Sequence, residues 1–168
     1  EYGRELGMEL FMASPFFMDD IAVSSSKVRR ALSAGDISLA KMLLGYDYSF
    51  SGSVTHGAGI GRSLGFPTAN ILLHDEMKLL PADGVYAVRL FFDGKEYKGI
   101  MNIGVKPTIG ENLARTVEVH VLDFSGDLYG KDVVVSLLCR VRGEMTFESV
   151  DALSCQISHD VQFVRNLI

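Results

Sequence analysis

From Asp47 onward the chain is divided into short apolar segments separated by turn signals, and this pattern constrains the fold most strongly. Two segments, Val85 to Phe92 and Tyr97 to Ile103, flank Asp93-Gly94, a dipeptide suited to a tight hairpin turn with positive φ. The other predicted strands are Asp47 to Thr55, Thr116 to Phe124 and Val133 to Val141. About six strands joined by turns predict a mainly β fold, a small antiparallel barrel, because closure leaves no exposed sheet edge.

Helical patterns lie on both sides of this strand-rich region. Ser24-Ser25-Ser26 can cap a short helix that ends at Ala34-Gly35, and Asp36 can cap a second helix that ends at Gly45. Near Gly45-Tyr46 the pattern changes from helical to strand-like, which predicts a domain boundary there. From Ser149, a candidate cap, apolar residues recur at helical spacing and predict one long C-terminal helix. They are Val150, Leu153, Ile157, Val161 and Val164.

Composition and charge limit the domain content, the kinds of partner and the location that we expect for this chain. Of the 168 residues, 48% are hydrophobic, which allows one packed domain and a fragment of another. The net charge is −5 and the 16 basic residues are scattered, so we expect no nucleic-acid partner. The apolar stretches are too short to span a bilayer, so no membrane partner is expected. Cys139 and Cys155 lie in apolar segments without metal-type spacing, which predicts buried, reduced thiols and a cytoplasmic location.

The segment from Gly57 to Asn70 has the composition of a phosphate-binding loop. Its four glycines let the backbone approach a ligand, and Arg62 adds a permanent cation. Pro67 favours an extended exit, so Thr68 and Asn70, two residues apart, project from the same face. Two neutral oxygens suit Mg²⁺ when a nucleotide supplies the negative charge.

Two less specific interpretations of this segment stay open. The spacing matches neither a Walker loop nor a dinucleotide fingerprint, because no helix pattern and no Lys-Ser pair follow it. A glycine-rich surface turn is one alternative. A turn in which Thr68 and Asn70 bond to their own backbone is the other.

Glu118 lies on a predicted strand whose opposite face is apolar. Val117, Val119 and Val121 form that face, so Glu118 points away from it. The alternation leaves two destinations open, a barrel interior or mouth and open solvent. His120, on the same face, is expected to be a hydrogen-bonded structural neighbour.

Several motifs together resemble those of riboflavin kinases. The segment Gly57 to Asn70 contains GRSLGFPTAN, which is similar to the defining motif of that family. Further motifs follow in the family's order: NIGVKPT, TVEVHVLDFSGDLYG and FESVDALSCQISHD. The resemblance covers Tyr48 to the C-terminus. It implies a six-stranded Greek-key barrel that transfers the ATP γ-phosphate to the ribityl 5′-hydroxyl of riboflavin, giving FMN and ADP.

The resemblance also implies roles for individual residues. Glu118 would be the base for the 5′-hydroxyl, and Thr68 and Asn70 would hold Mg²⁺. Arg142, Met145 and Phe147 would contact the flavin. The ATP-binding residues would be Gly57, Gly61, Arg62, Thr68, Val121, Asp123 and Tyr129.

The N-terminal section carries a second resemblance. VSSSKVRRAL, from Val23 to Leu32, is similar to the motif that closes the FMN adenylyltransferase domain of bacterial bifunctional riboflavin kinase/FAD synthetases. We therefore expect residues 1–46 to be the helical tail of that Rossmann-like domain and residues 47–168 to be the kinase domain. The rest of the adenylyltransferase domain would be the partner in the parent protein, and we expect no adenylyltransferase activity from this chain. A catalytically idle ligand-binding module and a purely structural barrel are the rival interpretations.

Overall fold

The structure, a computed structural model, describes residues 2–9, 11, 14–18, 20–57, 59–106 and 114–167. The elements before the barrel are α1 (Tyr2–Glu5), β1 (Phe17–Met18), β2 (Ile21–Ala22), α2 (Ser25–Ala34) and α3 (Ile37–Leu44). The later elements are β3 (Ser49–Thr55), α4 (Ile60–Ser63), β4 (Ala69–Leu73), β5 (Gly84–Phe92), β6 (Lys95–Lys106), β7 (Ala114–Val121), β8 (Asp132–Arg142) and α5 (Val150–Leu167).

Strands β3 to β8 form a closed antiparallel barrel with the order β3-β4-β7-β6-β5-β8, and β8 pairs with β3. Strands β5, β6 and β7 follow one another as neighbours, and β8 returns to pair with β5, which is the Greek-key arrangement. The predicted hairpin is present, with Phe92 opposite Lys95 and with positive φ at Asp93 and Gly94. The prediction of a six-stranded barrel is confirmed.

The interior of the barrel is filled by one side of each alternating strand. On β7, Val117, Val119 and Val121 are all buried there, as the alternation predicts. Tyr86 and Met101, from β5 and β6, have no exposed surface. Each fully buried side chain of this size stabilises the fold by about 1.5–3 kcal/mol relative to an exposed one.

Helices α2 and α3 end at the caps that the sequence predicts. The Ser24 side chain accepts a hydrogen bond from the Lys27 N–H, and Asp36 Oδ1 accepts one from Leu39 N–H at 2.9 Å. Gly35 and Gly45 end the helices in the left-handed region, with φ of 75° and 80°.

These two helices share the hydrophobic core of the barrel. Leu32, Ile37 and Ala40 belong to the same buried cluster as the barrel interior, and Leu32 is 1% exposed. The Ala82 N–H donates to Leu32 O at 3.0 Å, and Arg140 Nη1 donates to Ala34 O at 3.4 Å. The hydrophobic packing therefore continues across the predicted domain boundary.

Helix α5 covers part of the outer face of the barrel, over β5, β6 and β8. A second buried cluster joins Val161 and Val164 to residues of β5 and β6, including Val85 and Ile100. The predicted cap is present, because Ala152 N–H donates to Ser149 Oγ at 3.1 Å. The predicted apolar stripe is wrong at Val150, which is 64% exposed because the first turn of the helix does not reach this cluster.

Two structural observations relate to the predictions made from composition: the state of the two cysteines and the apolar character of the helices. Cys139 and Cys155 are both free thiols. The predicted burial is wrong for Cys155, which lies on an exposed side of α5, whereas Cys139 is half-buried and burial raises its pKa. Within the described ranges, none of the helices combines the length and the apolar character needed to cross a membrane.

Candidate active site

A row of cross-strand neighbours runs over the outer face of the barrel. Asn70 on β4 lies opposite Glu118 on β7, and Glu118 lies opposite Asn102 on β6. Asn102 lies opposite Val85 on β5, which lies opposite Arg142 on β8. Directly opposed residues of an antiparallel sheet point to the same side. Along the row, three polar side chains are therefore followed by one apolar residue and then by a cation.

A cleft of about 870 Å³ lies over the part of this row from Glu118 to Arg142, between the barrel, the segment 142–147 and α5. Its polar end contains Thr68, Glu118 and Asn102, whereas Val85 and Ile100 form an apolar floor. The remaining lining residues are Gly61, Leu64, Phe66, Met101, His120, Arg142, Glu144, Met145, Thr146, Phe147, Leu153, Ile157 and Asp160. A cavity of this size is in the range that holds a cofactor-sized ligand.

Glu118 is half-buried and faces this cleft. Neither of the two destinations that the sequence left open is correct, because Glu118 lies on the outer face of the barrel and α5 and the segment before it cover that face. Thr68 Oγ1 lies 3.4 Å from Glu118 Oε2 and donates a hydrogen bond to it. The Thr68 hydroxyl is therefore directed at the carboxylate and not at its own backbone.

The donor pair at this end of the site fits a magnesium–nucleotide complex. Thr68, which lines the cleft, offers a hydroxyl oxygen, and Asn70, opposite Glu118 on the neighbouring strand, offers an amide oxygen. Both are hard oxygen donors, and because both are neutral, the phosphate groups would supply the charge that balances the ion.

The glycine loop lies directly against the Thr68–Asn70 pair. A Cβ atom at Gly57 would collide with the side-chain amide of Asn70. A Cβ atom at Gly61 would collide with Phe66 O and would come within 3.2 Å of Thr68 Oγ1. At Gly61 the collision is with the main chain, so no side chain fits there, whereas a Cβ atom at Gly57 would displace the side chain of Asn70.

Within this loop a single helical turn, α4, was not predicted, because one turn is too short to produce a helical period. Gly59, in the left-handed region with φ of 73°, begins it. Arg62 lies on this turn and is exposed. Ala58 of the loop and Pro107 and Thr108 of the NIGVKPT motif lie outside the described residues.

Three of the residues expected to bind ATP lie outside the lining of the cleft: Val121, Asp123 and Tyr129. Val121 is buried in the barrel core, so only its main chain can contact a nucleotide. Asp123 accepts from Arg165 Nη2 at 2.7 Å. Tyr129 stacks on His56, with ring centroids 3.7 Å apart and an interplanar angle of 24°. Because His56 directly precedes Gly57, this stack lies at the start of the glycine loop, and sequence reasoning missed His56.

The three residues expected near the flavin all line the cleft. Arg142 Nε donates to Asp160 Oδ2 at 2.8 Å, and the guanidinium lies 5.7 Å from the centre of the Phe147 ring. Met145 is 53% exposed at the rim. The structure therefore brings Arg142 and Phe147 together as one wall of the cleft.

Asp160 is a residue that sequence reasoning missed. It is 4% exposed and also accepts from Gln156 Nε2 at 2.8 Å. Its signal in the sequence was a carboxylate next to Val161 on the apolar stripe of the last helix. A carboxylate buried there needs a paired cation, and Arg142 supplies it.

Comparison with known proteins identifies the family. The family model described as "Flavokinase: Riboflavin kinase" matches residues 44–168. The chain is 40% identical over 165 residues to the bifunctional riboflavin kinase/FMN adenylyltransferase of Pseudomonas fluorescens, covering 98% of this chain and 52% of that protein. It is 41% identical over 145 residues to the Bacillus subtilis protein of the same name, covering 85% of this chain and 46% of that protein. The chain thus spans about half the length of the curated relatives it matches.

A solved structure has the same fold over nearly the whole chain. It is named as a macrolide-efflux protein from Streptococcus pneumoniae and is 33% identical, with a TM-score of 0.87. The match covers 98% of this chain and 54% of that one. On the family match and on the identity to its relatives, the chain belongs to the riboflavin kinase family.

Proposed function

We propose that this chain transfers the γ-phosphate of ATP to the 5′-hydroxyl of the ribityl chain of riboflavin and releases FMN and ADP. The observation that carries the proposal is the meeting of Thr68 and Glu118 at the polar end of a cleft with an apolar floor, with Asn70 opposite Glu118 on the neighbouring strand. Membership of the riboflavin kinase family and the names of the curated relatives support the same reaction.

The phosphate groups of ATP would bind where the glycine loop meets β4. Gly57 and Gly61 let main-chain groups approach the phosphates, and Arg62 contributes positive charge from the exposed turn α4. Thr68 and Asn70 would hold Mg²⁺, which neutralises phosphate charge when bound. In-line placement and charge neutralisation supply most of the catalysis in phosphoryl transfer.

Glu118 would accept the proton of the 5′-hydroxyl as that oxygen attacks the γ-phosphorus. Its half-buried carboxylate lies at the boundary between the phosphate end and the rest of the cleft. The hydrogen bond from Thr68 fixes its direction, so the base and the phosphate-binding residues are oriented together.

The flavin would occupy the apolar part of the cleft. Val85 and Ile100 offer a flat floor for an aromatic ring system, and Phe147, held beside Arg142, offers a wall. Met145 would contact the ring from the rim. Asn102, between the base and the apolar floor, lies where a hydroxylated chain has to pass.

The nucleoside of ATP would extend outside the cleft along the start of the glycine loop. Tyr129, stacked on His56, offers an aromatic surface there. Asp123 and the main chain of Val121 would complete this contact.

We propose that residues 1–46 are the end of an FMN adenylyltransferase domain and that residues 47–168 are the kinase domain. The start of the family match at residue 44 and the bifunctional names of the relatives support this division. The parent protein would then also adenylylate FMN to FAD, as the bifunctional names of the relatives suggest. A cytoplasmic location and the absence of nucleic-acid partners remain predictions, and the two free thiols support the first.

The test is incubation of the chain with ATP, Mg²⁺ and riboflavin, followed by chromatographic separation of FMN from riboflavin. We expect FMN and ADP in equal amounts. If no FMN forms but Mg-ADP raises the melting temperature, the chain is a ligand-binding module without activity. If neither result is obtained, the barrel has a structural role. Thr68→Ala should weaken Mg-ADP binding more than riboflavin binding, and unchanged Mg-ADP affinity would contradict the metal role.

A further inference from the structure

His120 makes a direct contact with the segment that leads into the Thr68–Asn70 pair. It lies two residues after Glu118 on β7, is half-buried and lines the same cleft. Its Nδ1 atom lies 2.8 Å from Pro67 O. Its ring meets the Phe66 ring edge to face, with centroids 5.7 Å apart and an interplanar angle of 88°.

The chemistry of the two groups fixes the direction of this hydrogen bond. A carbonyl oxygen only accepts, so Nδ1 of His120 carries the proton and donates it to Pro67 O. This assignment does not depend on the charge of the ring, because both the neutral Nδ1–H tautomer and the imidazolium donate from that atom.

The contact begins where main-chain pairing between β4 and β7 ends. In the described residues these strands pair at Asn70–Glu118 and at Ala69–Val119. Pro67 has no N–H group with which to extend the ladder. The His120 side chain therefore bonds a residue that precedes the strand, and Thr68 lies between this bond and the last ladder pair.

We propose that His120 is a positioning residue that holds Pro67 and Thr68 so that the Thr68 hydroxyl faces Glu118 and the metal–nucleotide site. Its effect on substrates rests on the proposed kinase function. Two side chains from one face of β7 thus hold consecutive residues, because Glu118 bonds Thr68 and His120 bonds Pro67. The competing interpretation is that His120 only fills space against Phe66.

Three substitutions separate these two roles. His120→Ala removes both the donor and the ring. His120→Asn keeps an N–H donor near the position of Nδ1, and His120→Gln keeps a polar side chain of similar length with its donor farther out. His74→Ala is the matched control, because His74 contacts Ser53 and Asp132 away from the cleft. For each variant we would measure Mg-ADP affinity by calorimetry, KM for Mg-ATP and for riboflavin, and urea unfolding.

We expect His120→Ala and His120→Gln to raise the Mg-ADP Kd and the Mg-ATP KM about three- to tenfold, as the loss of one hydrogen bond predicts. The KM for riboflavin should change less than about twofold, and His120→Asn should restore most of the Mg-ADP affinity. If His120→Ala does not fold, the comparison of Mg-ADP affinity between His120→Asn and His120→Gln is a sufficient test by itself. Equal Mg-ADP affinity in those two variants would overturn the positioning role.

The experiments distinguish an error in the proposed kinase function from an error in the proposed role of His120. If the wild-type chain forms no FMN, the proposed function fails, and the calorimetric comparison still tests the positioning role. If the wild-type chain forms FMN and the variants bind Mg-ADP as tightly as it does, only the positioning role fails.

Discussion

The hydroxyl oxygen of Thr68 lies 3.4 Å from a carboxylate oxygen of Glu118, although 50 residues separate them in the chain. The contact exists because β4 pairs with β7, which places Asn70 opposite Glu118. The start of β4 and the residue before it therefore carry the proposed metal ligands, and the neighbouring strand β7 carries the proposed base. Substitution of a metal ligand is therefore expected to weaken Mg-nucleotide binding, whereas substitution of the base is expected to lower the rate.

Glu118→Gln should lower the rate of FMN formation by about 10²–10⁴-fold, the usual cost of removing a positioned base. Affinity for ATP and riboflavin should be retained, because the amide has the same size and can still accept from Thr68. The rate is measured by FMN chromatography and the affinities by calorimetry. Glu96→Gln, on the same barrel but paired with Arg89, is the control and should be fully active. A fully active Glu118→Gln variant would remove Glu118 from the mechanism.

Gly57→Ala should weaken Mg-ADP binding about three- to thirtyfold, because the added Cβ would displace the Asn70 side chain. The prediction is tested by a double-mutant cycle with Asn70→Ala, again by calorimetry. In the Asn70→Ala background the added Cβ has room, so Gly57→Ala should cost little more there. Additive losses would show that Gly57 acts independently of Asn70.

Leu32→Ala should lower the free energy of unfolding of the whole barrel by about 2–5 kcal/mol, the range for buried leucine truncations. Leu32 lies on α2, outside the family match, but it is 1% exposed in the barrel core. Urea unfolding followed by circular dichroism should show a single shifted transition. Leu72→Ala is the control, because Leu72 is 63% exposed. A barrel transition that does not move would mean that α2 folds separately.

Asp47 should make stability depend on pH in the acid range. Burial raises its pKa, but the hydrogen bonds and charges of Lys41 and Arg89 outweigh burial, and the pKa lies below its ordinary value. A lowered folded pKa gives stability that is fully present above the unfolded pKa of about 3.9 and is lost as the pH falls through the folded value.

Asp47→Asn should therefore be less stable than the wild-type chain at pH 7, and the difference should shrink below about pH 4. Urea unfolding at a series of pH values measures this difference. A difference that stays constant down to the lowest pH at which the chain folds would contradict the ion-pair explanation.

Local features of the fold follow from the amino-acid sequence by itself. Asp93-Gly94 predicts the hairpin, and Ser24, Asp36 and Ser149 predict helix caps, because turns and caps involve residues within a few positions of one another. Alternation identifies the inner face of β7 for the same reason. The motif resemblance identified Thr68, Asn70 and Glu118 as candidate site residues. That they lie close together in space was, from the sequence, only an expectation.

Relations between distant segments required the tertiary structure. Alternation gives a strand two faces and does not reveal what covers the outer one, so the cleft above Glu118 depended on where α5 packs. The Asn70–Glu118–Asn102 row depended on the register of three strands, and the Arg142–Asp160 pair depended on the path between β8 and α5. Periodicity and turn chemistry are short-range and determine which elements form. Strand order, register and the packing of the last helix are long-range, and these decided which side chains meet.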